Sequence, residues 1–141
     1  MERRHALARA IALSLAGAAF AALGACGEDD RPASWSYIHT AVIAPSCATS
    51  SCHTQENAQA DVDLHSIDSA YRILVGRDCD ADNPPGPSDR NFVAPGQPER
   101  SALMYLLIGE EVKRQMPPDR PLPPRDINLV ERWILEGALC N

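Results

Sequence analysis

Each stretch of helical periodicity in this 141-residue chain is short, and a proline or a glycine closes it. Ser34 can cap a first helix, in which Trp35, Ile38, Val42 and Ile43 recur at the spacing of one helix face. Pro45 should stop it. A second helix is expected from about Ser66 to Val75, with Ile67, Ala70, Tyr71 and Leu74 on one side and Gly76 as the stop. A third starts near Pro98, a good first-turn residue, is lined by Leu103, Leu106 and Leu107, and ends at Gly109. The last begins near Arg125-Asp126, carries Ile127, Val130, Trp133 and Ile134 on its apolar side, and ends at Gly137. The alternation of a half-buried strand is approached only at Asn91-Phe92-Val93-Ala94, which Pro95-Gly96 cuts short. The rest is loop: 77–97, rich in Pro, Asp and Gly, and 115–124, which holds Met116-Pro117-Pro118 and three further prolines. The expected fold class is therefore all-α, a small single domain with long Pro-rich loops, over residues 34–141.

Residues 1–25 carry a different signal. Arg3, Arg4 and Arg9 precede an apolar run from Ala10 to Ala22, broken only by Ser14 and Gly17. A basic start, a short apolar core and small residues before a break mark an export signal. A membrane-spanning helix needs about 20 apolar residues, more than this run offers. The closing Leu23-Gly24-Ala25-Cys26 resembles the lipobox of bacterial lipoproteins. That resemblance implies cleavage before Cys26, a lipid on its thiol, and anchorage to a cell-envelope membrane after export, on the periplasmic side or at the cell surface. An ordinary secretion signal with an incidental cysteine is the alternative. Residues 26–33 then read as a polar, lipidated tether.

Removing the three arginines and one glutamate of residues 1–25 takes the formal charge from −6 to −8. So acidic a domain is a poor match for the phosphate backbone of nucleic acid, which is not expected as a partner. The charge would suit a basic redox partner, although a plain solvated surface is the preferred reading. A chain this short, with 12 prolines, benefits from a staple, either disulfides or a large buried cofactor. Export makes disulfides chemically accessible.

Cys47-Ala48-Thr49-Ser50-Ser51-Cys52-His53 offers both. Two cysteines followed directly by a histidine are what a c-type haem requires: thiols for the vinyl groups, imidazole for the iron. The usual spacing leaves two residues between the cysteines; here there are four. A longer loop can bulge while its ends stay in place, and its closure entropy grows only slowly. A Cys47–Cys52 disulfide with His53 merely adjacent is the main alternative. A zinc site is weaker, for want of a second ligand cluster with zinc spacing. Met116 sits in a proline-stiffened loop, where presenting its sulfur costs less entropy, but a loop methionine is also a common packing residue. Met104 falls inside a helical pattern and reads as core. His39, four residues after Trp35, reads as a hydrogen-bonded core histidine and His65 as exposed; either is a substitute axial ligand if the iron is bis-histidine.

The order of parts carries more than any one of them. Ile43-Ala44-Pro45-Ser46-Cys47 through Cys52-His53 is followed by Val62-Asp63-Leu64, then by the segment Val93-Ala94-Pro95-Gly96-Gln97-Pro98-Glu99-Arg100-Ser101-Ala102-Leu103. Met116-Pro117-Pro118, Arg132-Trp133-Ile134 and Gly137-Ala138 complete the series. In this order the chain resembles the cytochrome c-like domains of bacterial exported proteins and lipoproteins, in their variants with a Cys-x4-Cys-His motif. The resemblance spans residues 35–139. It implies a cytochrome c-like fold with one covalent haem c, thioethers at Cys47 and Cys52, a proximal ligand at His53 and a distal ligand at Met116.

Cys79 and Cys140 remain. An exported pair without metal partners is most simply a disulfide, which would pin the long loop to the tail. Two free thiols are the alternative, and without haem the four cysteines of the domain allow three pairings. The expected function is that of a membrane-tethered, monomeric electron carrier rather than an enzyme, with an unidentified redox partner. A haem-free, disulfide-stapled lipoprotein serving as an interaction or structural module is the rival. A haem peroxidase is a third reading, weakened by the lack of a recognisable acid–base set near the motif.

Overall fold

The caps and breakers written in the sequence set most of the helix ends, with exceptions at Pro45 and after Pro98. The structure, a computed structural model, describes residues 29–79, 92–109 and 115–141. The export signal, Cys26 and its expected lipid, Asn91 and most of the loop after Cys79 lie outside the described residues. Arg31–Asn141 packs as one unit.

Helix α1 covers residues 35–46. Ser34 caps it, its hydroxyl accepting from the Tyr37 amide at 3.4 Å. After one α-turn, Trp35–Ile38, the backbone widens into a π-turn over His39–Ile43 and then resumes as Ala44–Ser46. Pro45 therefore does not stop the helix, contrary to expectation. A proline inside an α-helix lacks a donor, and its ring clashes with the carbonyl four residues back. The widened turn sits directly upstream of Pro45, its last bond running from the Ala44 amide to the His39 carbonyl. The helix survives one more turn and delivers Ser46 and Cys47 beyond the proline.

Helix α2 is Ile67–Val75. Ser66 and Ser69 form a reciprocal capping box, and Gly76 ends the helix in the left-handed region at φ 82°. The third periodic segment divides in two. A 3₁₀ turn, Pro98–Arg100, is separated by extended Ser101 from helix α3, Ala102–Ile108, which Gly109 ends. Helix α4 is Pro124–Leu135. Among the described residues there is no strand, and the architecture is all-α; no described helix is long and apolar enough to cross a membrane.

Helix α1 packs on α2 and α4, and α3 packs on α4. At the centre Trp35 stacks on Trp133 with ring centroids 5.0 Å apart, and Tyr71 meets Trp35 edge-on at 5.5 Å. All three rings are fully buried, and each polar atom has found a carbonyl, as burial demands. Trp35 Nε1 donates to Ile67 at 3.0 Å, Tyr71 Oη to Ala138 at 2.8 Å, and Trp133 Nε1 to Leu139 at 2.9 Å. Two of those bonds hold the tail after α4. Cys140 extends that grip through a disulfide to Cys79, as the leftover cysteines predicted. Asn141 completes it, taking the Trp35 amide on Oδ1 and the Ser36 amide on its carbonyl at the start of α1.

The segment 92–101 is a strap. The Val93 amide bonds Leu74 at the end of α2, the Gly96 amide bonds Ile134 in α4, and the Leu103 amide bonds back to Phe92. Buried Ser101 ties it internally, accepting from the Ala94 amide at 2.9 Å and donating to the Gln97 carbonyl at 2.9 Å. Its backbone bonds go to helices rather than to a neighbouring strand, which is why Phe92-Val93-Ala94 is not one. Arg31, assigned to the tether from sequence, is held on α4 by an ion pair to Asp126 at 2.6 Å.

Candidate functional site

The Cys47–His53 segment leaves the end of α1 as a tight loop. The Cys47 amide still bonds the Ile43 carbonyl at 2.8 Å, the Cys52 amide closes a turn on Thr49 at 2.9 Å, and the His53 amide returns to the Cys47 carbonyl at 3.2 Å. The four-residue gap thus bulges while its ends are drawn together. Cys47 and Cys52 carry free thiols.

Both cysteines and His53 face a cleft of about 280 Å³. Its walls are apolar: Val62 and Leu64 on one side, Leu74 from α2, Phe92 from the strap, and Leu103, Leu106 and Leu107 from α3. Met116, Pro117 and Pro118 close the remaining side. The Met116 amide donates to the Leu106 carbonyl at 2.9 Å, which fastens the proline-rich loop to α3 beside the cleft. The four residues singled out for haem attachment and ligation, Cys47, Cys52, His53 and Met116, therefore line one cavity although two helices and the strap separate them in sequence.

His53 is oriented by its own chain. Its Nδ1 lies 3.1 Å from the Val62 carbonyl, which can only accept, so Nδ1 is a donor, and in the neutral ring the lone pair is on Nε2. A hydrogen bond from one ring nitrogen to a carbonyl is what commonly fixes the orientation of an imidazole that ligates a metal through the other. The Leu64 amide returns a bond to the His53 carbonyl at 2.9 Å. Val62-Asp63-Leu64 thus steadies the histidine from both ends.

The two thiols are unequal. Burial pushes the Cys47 thiol up to about 11, and the nearby Cys52 sulfur adds to the rise. Hydrogen bonds from Thr49 and Ser51 hold the Cys52 thiol below its ordinary value; slight desolvation and the Asp119 carboxylate oppose them.

His39 is buried in the π-turn, its Nε2 3.2 Å from the Leu64 carbonyl, and His65 is exposed. Neither lines the cleft, and Met104 is buried in the core on another face of α3. Among the described residues no three His, Cys, Asp or Glu side chains are grouped to hold a bare metal ion. A porphyrin brings four ligands of its own and asks the protein only for axial ones. The donors present fit a haem: two thiols, an imidazole with a free Nε2, a thioether, and otherwise apolar walls.

Sequence reasoning passed over Asn57, Gln59 and Ala60. Gln59 and Ala60 line the cleft mouth, and Asn57 and Gln59 bond the cysteine loop. Ala60 and Asp61 both adopt left-handed backbone at φ 58° and 59°, uncommon for residues with a Cβ. Nothing in residue type announced this; the polar run 54–61 reads as ordinary loop. No protein-family model, curated protein or solved structure matches the chain.

Proposed function

We propose that the cleft binds one haem c, held by thioethers at Cys47 and Cys52 and ligated by His53 and Met116, and that the protein carries electrons. The fold would then be cytochrome c-like, and a lipid at Cys26 would tether it to a cell-envelope membrane after export. One observation carries this reading: all four residues open onto a single apolar cleft with the His53 tautomer already fixed. When bound, the haem supplies one-electron chemistry. The chain's own residues do the rest. Cys47 and Cys52 fix the group covalently, and the Val62 carbonyl orients the His53 ring. The leucines of α2 and α3 keep water from the site, which raises the electrostatic weight of each ligand. A sulfur ligand from Met116 sets a higher potential than a second histidine would. The acidic surface suits a redox partner with a basic docking face.

Pyridine haemochrome spectroscopy of protein matured in a host competent for c-type haem attachment tests this. Covalent haem is expected, and replacing Cys52 with Ala should weaken or abolish its retention. Intact mass showing two disulfides and no haem adduct would overturn the reading in favour of a haem-free, stapled module.

A further inference from the structure

The gap between the two cysteines is twice the usual length, and four residues with free carbonyls would not hold one shape unaided. In this structure they do not stand unaided. The Asn57 side chain donates Nδ2 to the Ser50 carbonyl at 2.7 Å, and the Gln59 side chain donates Nε2 to the Ser51 carbonyl at 2.6 Å. The Gln59 amide takes the next carbonyl, that of Cys52, at 3.3 Å. With the Thr49 and Cys47 carbonyls bonded to the Cys52 and His53 amides, five of the six carbonyls from Cys47 to Cys52 are engaged, all but that of Ala48.

The donors are presented by an unusual piece of backbone. The Asn57 amide is tied to Thr54 through both its carbonyl and its hydroxyl. Just beyond Gln59, Ala60 and Asp61 turn through the left-handed region, a cost borne without glycine. That turn brings Val62 round to the His53 ring. One segment, 57–62, therefore braces the widened gap with two side chains and the axial histidine with a carbonyl.

We infer that Asn57 and Gln59 are positioning residues for haem attachment: they fold the surplus length of the gap so that Cys47 and Cys52 face the same cleft. The inference rests on the haem reading and adds to it the means by which a four-residue gap is tolerated. It predicts a dependence that a two-residue gap would not have.

The test compares Asn57→Asp, Gln59→Glu and the double variant in two backgrounds, the natural gap and one with Ser50 and Ser51 deleted. Each substitution keeps the side-chain shape and removes the donor. The readout is the proportion of haem held by one thioether rather than two, from the haemochrome band position and from peptide mass, with thermal melting alongside. In the natural gap the singly attached fraction should rise relative to the doubly attached one, by about fivefold for each hydrogen bond of ordinary strength lost. In the shortened gap the same substitutions should change nothing. Wild-type attachment in every natural-gap variant would overturn the inference and leave the haem reading standing. Equal losses in both backgrounds would also overturn it, since the residues would then be general supports. If the unsubstituted protein carries no covalent haem, the haem reading itself falls and this inference with it.

Discussion

In chain made without haem, the two thiols of the cleft should alkylate at very different rates, although they lie in one short loop. Burial lifts Cys47 from an ordinary 9.0 to about 11. At pH 8 that leaves about 0.1% of it as thiolate against about 10% for an ordinary thiol, a roughly hundredfold deficit. A more basic thiolate is a better nucleophile, with a Brønsted slope of about 0.4–0.5, which returns roughly six- to tenfold. The deficit wins, so Cys47 should react about ten times more slowly than an ordinary cysteine. Its restricted access to reagent acts in the same direction. Cys52 is displaced the other way by the hydroxyls of Thr49 and Ser51 and should react first. The assay is timed, sub-stoichiometric iodoacetamide labelling at pH 8 read by peptide mass spectrometry. The Cys79–Cys140 disulfide keeps the other pair silent and serves as an internal control. Equal rates, or labelling of Cys47 first, would refute the assignment of Cys47 to the buried side of the cleft.

Other expectations follow from the same structure. In the same haem-free chain the folded state holds the Cys47 proton more tightly than the unfolded state, so the stability this confers is complete below about pH 9. It is lost as pH rises toward about 11, by roughly 2–3 kcal/mol; Cys47→Ala should remove this component from denaturant midpoints measured across that window. Tyr71→Phe strips the buried Ala138 carbonyl of its donor and should cost about 1–2 kcal/mol, seen as a lower Tm, and an unchanged Tm would mean the carbonyl finds another partner. Cys79→Ser should cost about 2–4 kcal/mol in urea unfolding under oxidising conditions and almost nothing when the wild type is reduced as well. In haem-loaded protein, Met116→His should lower the midpoint potential in redox titration; an unchanged potential would remove Met116 from the iron.

Local rules were legible where one residue decides the outcome. The Ser34 cap and the Gly76 and Gly109 stops each act over a single turn, and each stands where the spelling puts it. Pro45 shows where such rules end. Its helix-breaking effect is real, but a π-turn in the preceding residues absorbs the clash, and nothing in His39–Ile43 taken alone demands one. Likewise Pro98 does open a helical turn, but Ser101 turns its side chain to bond the strap and separates that turn from α3. The donor types for the candidate site were visible as a motif and a loop methionine. Their supports were not, because Asn57 and Gln59 act through bonds to backbone carbonyls, and every residue offers the same carbonyl.

By itself, then, the sequence determined the capped and glycine-stopped helix ends, the apolar faces and the inventory of thiols, imidazole and thioether, because these depend on residue identity and on neighbours within a turn. The convergence of Cys47, Cys52, His53 and Met116 on one cleft was decided only in three dimensions. It depends on α3 packing against α4, on the Leu106 carbonyl that fastens the Met116 loop, and on a backbone turn at Ala60 and Asp61. Each of these is a long-range or conformational term that no short window of sequence contains.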